Sequence, residues 1–427
     1  MKDSGYKWLG KIPDDWKVEK VKNLFSERKH KNKGLVENNL LSLSYGNIIR
    51  KNINTTFGLL PESFETYNII EAGDVVFRLT DLQNDKKSLR TGLCKEKGII
   101  TSAYTVLIPP KNVSPVFCHY LFHSFDICKV FYNLGDGVRQ GMNYCDLAKM
   151  PFLLPPLDVQ KKIADFLDSK CTEIQATIDN TKQTIEEYKK LKTAVITKAV
   201  TKGIRPNRKM KDSDIEWIGQ IPEDWRIVKI KILTTKVGSG KTPKGGAEIY
   251  QEEGVLFIRS QNVYDEGLSL LEPTYISDEI DEDMANTRVQ DKDVLLNITG
   301  GSIGRCCIYD GKFGRANVNQ HVSIIRVIPG KVLPDLMHYF WNSYMGKTSI
   351  DLYQTGGNRE GMSADAIKNT FIPFPPLSEQ SEIAAYLDKK SSQINTVIAQ
   401  KEQFITEMEK YKQSFIYEYV TGKREVN

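Results

Sequence analysis

The sequence predicts an α+β protein: two globular α/β domains joined by two long helices that form an antiparallel coiled coil, with a pseudo-two-fold internal repeat. Three observations carry this expectation. Segments at both ends of a unit recur later in the chain, each unit closes on a seven-residue apolar periodicity, and the middles hold short apolar runs of strand type.

The repeat organises everything else. Met1-Lys2-Asp3-Ser4 recurs as Met210-Lys211-Asp212-Ser213, and the match continues through Trp8/Trp217, Gly10/Gly219, Pro13/Pro222 and Trp16/Trp225. At a second, slightly longer offset, Gly137-Val138-Arg139-Gln140-Gly141-Met142 matches Gly357-Asn358-Arg359-Glu360-Gly361-Met362. Pro155-Pro156-Leu157 then matches Pro375-Pro376-Leu377, and Gln160, Ile163, Ala164, Leu167 and Asp168 match Gln380, Ile383, Ala384, Leu387 and Asp388. The chain is a duplication with an insertion in its second copy. Its frame is shared and its centres differ, which suits one scaffold presenting two recognition surfaces. Simple drift of the centres is the alternative.

After each Pro-Pro the apolar period becomes helical. Steps of four and three select Leu167, Cys171, Ile174, Ile178, Thr181, Ile185, Tyr188, Lys192, Val195 and Ala199. The second copy gives Leu387, Ser391, Ile394, Ile398, Lys401, Ile405, Met408, Lys412, Phe415 and Tyr419. A heptad seam of this length needs a partner, and two similar units related by a two-fold axis make the helices antiparallel, with a globular domain at each end of a stiff rod. Asp158 and Ser378 are expected N-caps. Polar seam residues such as Lys192 and Lys412 either fix register or mark a solvated gap. The expected boundaries are 1–156 and 204–376 for the globular domains, 157–203 and 377–427 for the helical regions.

In the middles, Asp74–Phe77 and Asp293–Leu296 read as matching buried strands, as do Ile99–Ile108 and Val322–Ile328. Ser114-Pro115 and Leu333-Pro334 open helices, with core stripes at Phe117, Tyr120, Leu121, Phe125 and Val130 and at Leu336, Tyr339, Phe340 and Tyr344. His119 and His123 stand four apart, but no further metal ligand is evident, and a core role is the simpler reading.

Composition narrows the function. At 427 residues the chain holds two or three domains. Hydrophobic residues at 40% and charged residues at 26% exclude disordered and fibrous classes. A formal charge of +5 permits a polyanionic partner without requiring one. No signal peptide or membrane-length apolar stretch is evident, and seven cysteines without CxxC spacing fit a reducing cytoplasm.

Candidate DNA contacts are residue types suited to phosphates or base edges, lying in Gly-, Asn- and Ser-rich stretches. They are Arg28, Lys29, Tyr45, Asn47, Lys86, Arg90 and Arg139 in the first copy, and Lys241, Lys244, Arg259, Asn262, Arg305 and Arg359 in the second. Arg139 and Arg359 could equally brace the helix base.

Catalytic motifs do not emerge. Val237–Thr242 resembles a phosphate loop, but Thr235 stands where the pattern needs Gly. The glycine-rich runs form no GxGxxG. No Asn-Pro-Pro-Tyr or Asp-Pro-Pro-Tyr tetrad, HExxH or GxSxG occurs.

With these motifs in view, essentially the whole chain resembles the specificity subunits of type I restriction-modification systems. The resemblance rests on the Trp-Ile/Leu-Gly…Ile-Pro…Trp opening of each unit, the Gly-x-Arg-x-Gly-Met segments, Pro-Pro-Leu-x-x-Gln-x-x-Ile before each helix, and Thr242-Pro243 after a glycine-rich turn. Val159 departs from the usual Glu, kept as Glu379. The resemblance implies two target recognition domains, each reading half of a split, asymmetric double-stranded DNA site, with the helices as a ruler for the unread spacer. It implies docking of two methyltransferase subunits that methylate adenine, and of motor-nuclease subunits in the full enzyme. S-adenosylmethionine, ATP and Mg belong to those partners, so this chain is expected to be non-catalytic and to hold no cofactor or metal. A coiled-coil scaffold without DNA affinity, or a fused DNA-modifying enzyme, are the competing readings.

Overall fold

The computed structural model describes the whole chain except residues 55–60, 62, 81–88, 134–140, 354–360 and 427. It divides into two compact units, one made of Met1–Lys182 with Glu402–Asn427 and the other of Gln183–Lys401. We call them unit 1 and unit 2.

Two long helices form, Leu157–Lys202 and Leu377–Val420, 46 and 44 residues each. At 1.5 Å per residue each is about 65–70 Å long. Both begin one residue before the expected caps. The backbone N–H groups of Gln160 and Gln380 donate to the carbonyls of Pro156 and Pro376, so Asp158 and Ser378 lie inside the first turn and are not N-caps. The prolines work there because a helix start has no use for their missing N–H.

The pairing of these helices is visible within each unit. In unit 1, Phe166 meets Tyr419 with ring centroids 4.9 Å apart, and Lys412 Nζ donates to Gln175 Oε1 at 3.0 Å. In unit 2, Lys192 Nζ donates to Asn395 Oδ1 at 2.9 Å, and Lys401 lies over the Tyr188 ring. In both, rising numbers on one helix meet falling numbers on the other, so the strands of the pair are antiparallel. Every seam position named from the heptads is buried or half-buried. The polar ones are not gaps, because Lys192, Lys401 and Lys412 each have a specific partner.

The globular part of unit 1 is built on an antiparallel sheet in the order Ser26–Glu27, Thr105–Ile108, Val75–Phe77, Thr91–Leu93. The helix Pro115–Ile127 covers it, burying Phe117, Leu121, Phe122 and Phe125. Unit 2 repeats the arrangement with Thr234–Ser239, Val322–Val327, Val294–Asn297 and Cys306–Ile308. It adds a second four-stranded sheet containing one parallel pair, Val255–Ile258 with Ala316–Val318.

Three expectations change. Ile99–Ile108 is two strands, Gly98–Ile100 and Thr105–Ile108, because Tyr104 N donates to Thr101 O and turns the chain between them. Val130 falls beyond its helix, in a 3-10 turn. Tyr344 is not core: the helix Pro334–Asn342 ends before it, and Tyr344 opens the next helix with 60% of its surface exposed.

The repeated motifs are repeated hydrogen-bond arrangements. Gln160 is fully buried; its Oε1 accepts from Ser114 N, and its Nε2 donates to the carbonyls of Asn112 and Pro155. Gln380 does the same with Leu333 N, Lys331 O and Pro375 O. The amide thus ties the start of each long helix to the loop before the core helix. Tyr120 and Tyr339 donate to Asp168 and Asp388 one turn-pair further along. Met142 N donates to Leu79 O and Met362 N to Ile298 O, docking the ends of the two Gly-Met segments just beyond the equivalent strands Val75–Phe77 and Val294–Asn297.

The Val159 departure has a structural counterpart. In unit 2, buried Glu379 accepts from Trp225 Nε1 and pairs with Arg208. In unit 1, Val159 joins Val426 in packing on the apolar core that contains Trp16. One copy anchors its tryptophan by charge, the other by apolar contact.

Candidate nucleic-acid interface

The candidate contact residues divide into exposed groups and framework groups. Lys86, Arg139 and Arg359 lie outside the described residues.

In unit 1, Leu41–Ser44 and Asn47–Arg50 form a hairpin whose two-residue loop is Tyr45-Gly46. Both loop residues have positive φ, 45° and 80°. This turn normally selects Asn-Gly, so a tyrosine there stores roughly 1 kcal/mol of backbone strain. Tyr45 is 69% exposed, and Asn47 beside it donates to the Tyr45 carbonyl. Lys29 is also exposed, paired with Glu27 at 2.7 Å.

Arg28 belongs to the frame. Its Nη2 donates to Asp74 Oδ1 at 3.0 Å, and Asp74 also accepts from Glu71 N. Burial pushes the Asp74 carboxyl up, and Arg28 opposes that shift. Unit 2 repeats the arrangement with Arg326, Asp293 and Gln290 N. Arg90 is fully buried, with Nη1 donating to Thr80 O, so it presents no surface to a duplex.

In unit 2, Lys241 and Lys244 are exposed on the loop after strand Thr234–Ser239. That loop lies tight on the neighbouring chain: a Cβ at Gly240 would fall 1.9 Å from Val318 O. Arg259 stacks on Tyr250 and Arg305 on Tyr264, at 5.6 and 4.6 Å from the ring centroids. Asn262 is buried. It accepts from Arg259 N and donates to Ser269 O, holding the turn that carries Arg259. Asn297 Nδ2 donates to Ser260 O, and Asp265 Oδ1 accepts from Cys306 N. Arg259, Arg305 and Tyr264 are thereby assembled around residues 259–268. The sequence reading missed Tyr250 and Tyr264, whose only signal was their closeness in sequence to Arg259 and Asn262.

Stacked guanidiniums are held flat and keep donors free for phosphate or base edges. The arrangement offers planar cations and exposed polar tips, and among the described residues no constellation of nucleophile, base and oxyanion donor. No group of three or more His, Cys, Asp or Glu that could hold a metal ion occurs among the described residues. His119 and His123 face each other at 5.6 Å. Burial depresses their pKa values to about 3 and about 4, with help from the charges of His123 and Lys95 at His119 and from Lys412 at His123. Among the described residues no helix is long and apolar enough to cross a membrane.

The profile of the type I restriction modification DNA specificity domain matches the chain twice, over residues 13–187 and 222–407. The putative type I restriction enzyme MjaX specificity subunit of Methanocaldococcus jannaschii is 24% identical, over 97% of this chain and 95% of its own length. The MjaVIII specificity subunit of the same organism is 27% identical, over 77% of this chain and 75% of its own. A solved chain from a study of assembly and conformational transition of the type I R-M system superposes with a TM-score of 0.70 at 15% identity, covering 97% of this chain and all of that one. With two copies of that domain across most of its length, the chain belongs to the type I restriction-modification DNA specificity family.

Proposed function

We propose that this chain is the DNA-reading, non-catalytic subunit of a type I restriction-modification enzyme. Each globular domain reads one half of a bipartite, asymmetric site in double-stranded DNA. The paired helices set the unread spacer and dock two methyltransferase subunits, which methylate adenine, and motor-nuclease subunits complete the restriction enzyme. S-adenosylmethionine, ATP and Mg are bound by those partners.

The observation that carries the reading is the repeat itself: one frame used twice, with unlike centres. Unlike centres support unlike half-sites. In unit 1 the centre offers Tyr45 and Asn47 at a hairpin tip; in unit 2 it offers Arg259 and Arg305 on aromatic platforms. Adenine methylation needs the base turned out of the stack, so the reader's task is to hold the duplex in register. The exposed cations Lys29, Lys241 and Lys244 suit phosphates.

The test is selection from a random duplex pool by the full chain with its methyltransferase subunit, followed by sequencing. Recovery of a split, asymmetric site supports the reading. Enrichment of no sequence leaves a scaffold, and methylation by the chain alone makes it an enzyme.

A further inference from the structure

The two units differ at a place the repeat makes equivalent. In unit 2 an open groove of roughly 820 Å³ runs along the first long helix over residues 186–202. Ala194, Thr197, Ile218 and Met345 line it, and exposed Tyr344 stands at its edge. Its rim is basic: Lys190, Lys198 and Lys202 are exposed, while Lys189 is paired with Glu186 at 2.8 Å.

In unit 1 the chain fills the corresponding place itself. The repeat puts Tyr417 where unit 2 has Thr197, Glu418 where it has Lys198, and Phe125 where it has Tyr344. The Tyr417 hydroxyl donates to Trp8 O at 3.4 Å, Trp8 packs edge-on against Phe125 at 4.8 Å, and Phe125 is fully buried. Glu418 pairs with Arg424.

We propose that the unit 2 groove docks one acidic, amphipathic helix of a partner protein, once per chain. Four turns of exposed helix, about 24 Å, give a second helix room to lie alongside. Apolar floor and lysine rim call for an apolar stripe flanked by Asp and Glu. Duplex DNA matches the rim but has no side chain to bury on the floor. The identity of the partner rests on the reading above: the helix belongs to a methyltransferase subunit, and the two copies of that subunit are held unequally.

The experiment titrates the methyltransferase subunit into the full chain, followed by native mass spectrometry. The variant Thr197→Tyr with Lys198→Glu copies unit 1 and fills the groove; Gln183→Tyr, exposed on the same helix outside it, is the control. The expected result is one of two binding steps weakened ten-fold or more, with the other step and the control unchanged. A benzophenone on Ala194→Cys, in a Cys128→Ser/Cys145→Ser background, should cross-link to an acidic amphipathic segment of the methyltransferase. Two unchanged steps, equal weakening of both, or a cross-link to DNA or to a second copy of the chain overturns the proposal. If the wild-type chain binds neither methyltransferase nor a selected DNA site, the functional reading itself fails, and the groove assignment with it.

Discussion

Lys192 Nζ donates to Asn395 Oδ1 at 2.9 Å and to Glu266 Oε1 at 3.0 Å. One ammonium therefore joins both long helices and the hairpin Val263–Leu268 inside unit 2. Unit 1 keeps the helix half of this link, as Lys412 with Gln175. A lysine at a seam position costs burial of charge, and here three converging elements offset that cost.

Lys192→Met should change overall stability by no more than about 1 kcal/mol, since Glu266 can return to water. It should free the hairpin. Amide exchange across 263–268 should rise about five-fold, the equivalent of roughly 1 kcal/mol of lost local protection. Unchanged exchange there would show the tether to be idle.

Gln160→Ala and Gln380→Ala each remove a buried amide, leaving its backbone N–H and carbonyl partners unpaired. Each should cost about 2–4 kcal/mol in denaturant unfolding. A loss under 0.5 kcal/mol at either site would contradict the role given to the motif.

Gly240→Ala cannot be accommodated without moving Val318 and Asn319, because its Cβ would meet their backbone. We expect a loss of about 3 kcal/mol or more and reduced duplex binding. Gly238→Ala, two residues earlier with open space around its Cβ, should be nearly neutral. Equal melting temperatures for the two variants would refute this.

His119 and His123 make unit 1 acid-sensitive. Their folded pKa values, about 3 and about 4, lie below the unfolded value near 6.5. The stability they contribute is present above pH 6.5 and lost as pH falls toward 4. Near pH 5.5 the loss is about 1 kcal/mol per ring. His123→Asn copies the His338/Asn342 pair of unit 2, where His338 Nε2 lies 2.7 Å from Asn342 Nδ2 and 3.1 Å from Asp265 O. It should reduce the drop in melting temperature between pH 7.5 and 5.5.

Removing one heptad from both helices, Ile174–Asn180 and Ile394–Gln400, keeps the seam in phase and shortens each helix by about 10 Å. The selected site should keep both half-sites and lose about three base pairs of spacer. An unaltered spacer would end the ruler interpretation.

The sequence by itself determined the repeat, the long helices and their seam, because a heptad is a local pattern and the duplication supplies the two-fold that makes the pair antiparallel. It also marked Gln160 and Gln380, since both copies kept them. It did not determine which polar residues face outward. Arg28, Arg90 and Asn262 have the same chemistry as surface contacts, yet Asp74, Thr80 O and Ser269 O, distant or unpatterned in sequence, draw them into the frame. Nor could it reveal that Thr197 leaves a groove where Tyr417 closes one. Burial and partner choice are set by what packs against a residue, and only the tertiary structure decides that.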